Sequence, residues 1–157
     1  MKSITLFSVI KKKRLLFLIL VTSFFNSSYA LANTIVFQCT TKNNKQLLVT
    51  LNKNLISYKF GRNLSNPEMA LTTKQVTYMP WTGVSSMVNN SLEIQNGNIK
   101  YTVFSSYQRD PNNLNSQSGI VVSKGDQELA TVYCKESSKG YVNNLDDSGL
   151  LSQFKKD

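Results

Sequence analysis

The chain has 157 residues, with 18 basic and 9 acidic side chains, a formal charge of +9 and no histidine. Without histidine the commonest general base, the Ser-His and Cys-His nucleophile pairs and the usual zinc ligand are all missing. The basic balance is also uneven: residues 1–32 hold five basic side chains and no acid, leaving 13 against 9, or +4, for the other 125 residues. An excess that small, spread along the chain, does not mark a nucleic-acid binder.

The first element is a leader. Lys11-Lys12-Lys13-Arg14 precedes the eleven-residue run LLFLILVTSFF, which is followed by NSSYALA. A basic flank, a short apolar stretch and an A-x-A end are the features of a secretory signal peptide. The run is well short of the roughly 20 apolar residues of a spanning helix. Ala30 and Ala32 satisfy the small-residue requirement, so cleavage is expected between Ala32 and Asn33, with cleavage after Ala30 as the rival and an uncleaved anchor as the competing reading. The expected organisation is a signal peptide over 1–32, a β domain over 33–136 and a C-terminal tail over 137–157, with no membrane span after the leader.

TIVFQC (34–39) alternates, with Ile35, Phe37 and Cys39 on one face. QLLVTL and LISYKF follow, joined across Asn52-Lys53-Asn54, so residues 34–60 read as three strands. EMALT (68–72) and QVTYM (75–79) are weaker strand candidates. LEIQNGNIKYTVF (92–104) carries the strongest hairpin signal, Asn-Gly between alternating runs. With Asn96 and Gly97 as a type I′ turn, Glu93 faces Lys100 and Leu92 faces Tyr101. Leu92, Ile94, Ile99, Tyr101 and Val103 then share the inward side. RDPNNLNSQSG (109–119) is a polar loop. It resembles the start of a calcium loop at Asp110 and Asn112, but Leu114 takes a ligand position and no Glu closes it, so an Asx-type turn is expected. GIVVS and QELATVYC form the last pair, with Ala130, Val132 and Cys134 facing inward. DDSGLLSQF in the tail suits one or two helical turns.

Short strands with turns every eight to twelve residues and no helical periodicity before residue 140 predict an all-β fold. The expected form is an antiparallel sandwich or small barrel of about 7–9 strands. In an exported chain the even pair Cys39 and Cys134 is expected to form one disulfide. Tyr78, Met79 and Trp81, in TYMPWTGVSSMV (77–88), are the candidate partner surface, because Tyr, Trp and Met outside a periodic strand suit protein contacts. The alternative reading is that Trp81 fills one end of the core. No metal or cofactor site is expected.

The arrangement FQCTTKNNKQLLVTLNKNLISYKFG, PEMAL and GIVVSKGDQELATVYC resembles a group of small exported proteins of Gram-negative bacteria, mostly uncharacterised, over roughly residues 35–135. In that group a Cys near the mature start, a strand ending Tyr-x-Phe-Gly and a Cys on the last strand frame the domain. The resemblance implies a β-rich fold and a periplasmic or secreted location. A slighter similarity, in the Cys-containing first strand and the size class, is to C-type lysozyme inhibitors. Their Ser-Gly loop would correspond to Ser118-Gly119, but Ile120-Val121 follow where basic or aromatic residues are expected. A charge of +4 also repels a cationic lysozyme. The expectation is an exported, non-catalytic binding protein of the bacterial envelope with a protein partner. The alternative is an inhibitor or immunity protein against a cell-wall hydrolase or delivered toxin. A hydrolase built on carboxylates is the third reading.

Overall fold

In the computed structural model, which describes residues 33–110, 112 and 115–155, the alternating runs become strands of two antiparallel sheets. The leader and Ala32 lie outside the described residues; Asn33 is the first within them, and it is exposed. The first sheet is built from β1 (Thr34–Thr40), β2 (Gln46–Asn52), β3 (Leu55–Gly61), β4 (Met69–Thr73) and β10 (Val142–Asn143), in the order β10-β1-β2-β3-β4. The second contains β5 (Val76–Met79), β6 (Met87–Asn96), β7 (Ile99–Gln108), β8 (Ser116–Lys124) and β9 (Gln127–Tyr133), in sequence order. The fold is therefore all-β, with two five-stranded sheets. One strand more than expected arises because β10, two residues long, carries no periodic signal of its own.

Inward residues of the two sheets make one core. Phe37, Leu47, Val49, Ile56 and Tyr58 from the first meet Tyr78, Leu92, Ile94, Val103 and Ile120 from the second, all almost fully buried. The rings of Tyr58 and Tyr101 pack across the gap at 5.2 Å. Cys39 and Cys134 are bonded, both buried, with their Cα atoms 5.8 Å apart and 95 residues apart in sequence. Beside them Thr41 and Cys134 form a backbone bridge, so the end of β1 is joined to the end of β9 at one corner.

Three local expectations are corrected. The central hairpin turns one residue later than predicted: Asn96 pairs with Ile99 and Gln95 with Lys100, so Gly97 and Asn98 are the turn. Gly97 has φ +59° while Asn98 is not among the positive-φ residues, which is the II′ pattern with glycine at its first central position. Moving the turn by one shifts every pairing by two, which preserves side-chain parity. The inward set is therefore as expected, and Glu93 meets Lys100 diagonally, in an ion pair of 2.8 Å.

In β1 the register shifts between Ile35 and Phe37, and the extra residue, Val36, is buried along with Phe37. The bulge lets two consecutive side chains enter the core and opens the carbonyls of Ile35 and Val36 to Asn144. In β9 a second shift, opposite Val122 and Ser123, falls just before Ala130, which pairs with Val122 on the face of Val132 as expected but is exposed and not buried. The strand is an edge, and the bulge turns its start away from the core.

The tail docks. The helical turn α1 (Ser148–Leu151) is capped by Asp147, whose carboxylate accepts from the Leu150 N–H, and a 3₁₀ turn follows over Ser152–Phe154. Leu145, Leu151 and Phe154 join the core. The inner face of the second sheet explains the rest of the docking. One cross-strand row is apolar (Leu92, Val103, Ile120), and the next is polar (Asn90, Ser105, Ser118) and equally buried. Buried polar groups require partners. The tail supplies them: Asn143 donates to Ser105 at 2.9 Å, the Tyr141 hydroxyl to Ser118 at 3.2 Å, and Asn90 donates to Asp146 at 2.6 Å.

Candidate functional site

Strand β5 is an edge of the second sheet, and Pro80 stops it, since proline has no N–H to give a ladder. Alternation within β5 separates the predicted surface residues. Tyr78 points inward, 1% exposed, with its hydroxyl donating to the Leu145 carbonyl at 2.6 Å. Burial, and then the charges of Asp146 and Asp147, push its pKa above the ordinary phenol value. Tyr78 is thus a core residue that anchors the tail, and it is removed from the contact surface. Met79, the next residue, points outward and is 38% exposed.

Trp81 is half-buried. Its backbone N–H donates to the Asn90 side-chain oxygen at 2.8 Å, and Asn90 is in turn held by Asp146. The Arg109 guanidinium lies 4.9 Å from the centre of the indole ring, within cation–π range. The Arg109 backbone N–H donates to the Ser86 carbonyl at 3.0 Å, closing the far end of the 80–86 segment. The indole N–H is buried and has no acceptor among the described residues. At the tip of the segment Val84 is 91% exposed, which makes it the most exposed large apolar residue described.

Two concavities flank this edge. One, of about 530 Å³, is lined by Tyr78, Met79, Pro80, Trp81, Thr82 and Lys155. The other, of about 320 Å³, lies between Val76, Glu93 and Phe154 and shares Met79 and Lys155 with the first. Lys155 separates them, in a parallel backbone bridge to Tyr78. The site therefore offers apolar surface from Met79, Pro80 and Trp81 and two cations at Arg109 and Lys155, beside a four-residue edge strand whose outer side is bridged at Tyr78 by Lys155. Aromatic and Met side chains beside cations are the elements of a surface suited to contact with another protein.

The remaining expectations fall elsewhere. Cys39 and Cys134 are joined, and no cluster of three metal-ligating side chains occurs among the described residues. Asp110 accepts from the Asn112 backbone and side-chain amides at 2.9 and 3.2 Å, the expected Asx turn. Ser118 and Gly119 are mid-strand in β8, not in a loop. Ser118 is 1% exposed, and a Cβ on Gly119 would stand 2.3 Å from the Val132 carbonyl oxygen. The pair cannot be presented to an enzyme as the Ser-Gly loop of lysozyme inhibitors is.

Arg109, Asn90, Asp146 and Lys155 complete the site and were not singled out from the sequence. The available signal was Asn90, Ser105 and Ser118 at inward parity, a polar row that demands a cover. Comparison with protein-family models, with curated proteins and with solved structures returns no match.

Proposed function

We propose that this chain is an exported, non-catalytic binding protein of the bacterial envelope, which loses residues 1–32 and presents the Met79–Trp81 edge to a protein partner. The observation that carries the reading is the groove at β5, where exposed Met79, half-buried Pro80 and Trp81, and the cations of Arg109 and Lys155 meet. The leader pattern and the Cys39–Cys134 bridge support an oxidising, periplasmic or secreted location. An inhibitor or immunity protein for a cell-wall hydrolase or delivered toxin would use the same edge, and high affinity for one enzyme would distinguish it.

The test is photo-crosslinking from position 84, at the tip of the segment, in periplasmic extract. A specific adduct should form, and Trp81→Ala with Arg109→Ala should abolish it, while Lys59→Ala on the other sheet should not. An adduct indifferent to Trp81 and Arg109 would place the contact elsewhere.

A further inference from the structure

The other edge of the second sheet holds a concavity of about 390 Å³ at the disulfide corner, and nothing in the β5 reading uses it. Its walls include Lys42, Lys135, Tyr133, Ser116, Gln117 and Glu136. Backbone pairing fixes the two lysines on this corner: the Lys42 N–H donates to the Tyr133 carbonyl and the Lys135 N–H to the Thr40 carbonyl, both at 2.8 Å. Cys134, between Tyr133 and Lys135, is bonded to Cys39, so the floor is covalently held.

The two cationic heads are also positioned. The Lys42 ammonium lies 5.2 Å from the centre of the Tyr133 ring, and the Lys135 ammonium donates to the Asn44 side-chain oxygen at 2.6 Å. Neither has a carboxylate partner among the described residues. The one wall carboxylate, Glu136, accepts a hydrogen bond from the Ser116 hydroxyl. Two lysines that line a hydroxyl-bearing concavity, their ammonium groups held only by neutral partners, form a place where an oxoanion gains charge-assisted hydrogen bonds. The rigid corner lowers the ordering cost of that gain.

We propose that this corner binds a small organic anion, its carboxylate or phosphate held between Lys42 and Lys135 and its body against the Tyr133 ring. The volume lies at the lower end of the range for small-molecule sites. Glu136 opposes the ligand's charge and sets the upper limit on affinity.

Inorganic phosphate and acetate are the probes, titrated separately at constant ionic strength against chloride into isotope-labelled oxidised protein, with backbone amide shifts read by NMR. Saturating shifts confined to Ser116, Gln117 and residues 135–137 are expected. The stronger of the two probes identifies the group. Lys42→Gln with Lys135→Gln should weaken binding about tenfold, and Glu136→Gln should tighten it by roughly threefold, both at unchanged thermal midpoint. Shifts that follow chloride equally, or that survive in the double lysine variant, would overturn the site. So would weaker binding in Glu136→Gln, because that carboxylate would then be a ligand contact and not an opposing charge.

Discussion

Lys53 has φ +55° at the first position of the β2–β3 turn, where Gly97 and Gly125 stand in the two other hairpin turns of the same pattern. A side chain there bears a steric cost of about 1–2 kcal/mol that glycine avoids, partly offset by the entropy glycine loses on folding. Lys53→Gly should therefore stabilise the domain, by about 0.5–1 kcal/mol. Gly97→Val should cost about 1–2 kcal/mol through backbone strain alone, since nothing lies near a Cβ at that position. Asn96→Ala should be nearly neutral, because Asn96 belongs to the strand and not to the turn. Denaturant midpoints of the three variants decide this; a costly Asn96→Ala would restore the I′ turn at Asn96–Gly97. Asn-Gly was a sound hairpin signal, but it did not say which of two turns the pair would serve. Parity could not arbitrate, because both registers bury the same side chains.

The element that contributes most beyond its length is the tail. It adds β10 to the first sheet, three side chains to the core and the partners of the polar row. Leu145→Ala and Leu151→Ala should each cost about 2–5 kcal/mol, the range for emptying a packed aliphatic site. Lys155→Ala, exposed at the end of the same element, should cost less than about 0.5 kcal/mol. Urea unfolding measures all three, and a tolerant Leu151→Ala would show that the tail only rests on the sheets. The strands were legible because period-two alternation is written locally in β2, β3, β6 and β7. In the tail the helical turns of DDSGLLSQF were legible, but β10 and the docking were not, because YVNNLD has no periodicity. What fixes it is complementarity with Asn90, Ser105 and Ser118, residues far away in sequence. The same distance hid Arg109 from the Trp81 segment, while Met79 and Trp81 were visible from composition alone.

Across the whole molecule, one covalent link and a set of buried phenols govern how conditions act. The Cys39–Cys134 loop spans 95 residues, for which chain entropy gives about 4–5 kcal/mol as an upper figure. Reductant should lower the thermal midpoint by roughly 10 °C. An unchanged midpoint, with both thiols confirmed reduced, would mean the corner is held by packing alone.

With no histidine in the chain, stability should be flat from about pH 6 to 9. Above that, Tyr58 and Tyr78 take over. Burial pushes both pKa values up, aided at Tyr58 by Tyr101 and at Tyr78 by Asp146 and Asp147. Below about pH 10 folded and unfolded chains alike hold these protons. As pH rises past that value the unfolded chain loses them first, so the fold binds more protons and stability falls. Phenolate absorbance and circular dichroism should change together for this class; ionisation of all tyrosines before the dichroism moves would contradict it.

The order of strands in the first sheet also sets a schedule. β1 is made early, yet one of its neighbours is β10, its bulge is closed by Asn144, and Cys39 has no partner until residue 134 exists. At synthesis rates of about 5–20 residues per second, the intervening hundred residues take roughly 5–20 s. Throughout that interval β1 has one finished edge and one open one, and the polar row of the second sheet has no cover. The domain thus closes only once its last segment is available, and machinery that needs an unfolded chain has that interval in which to act.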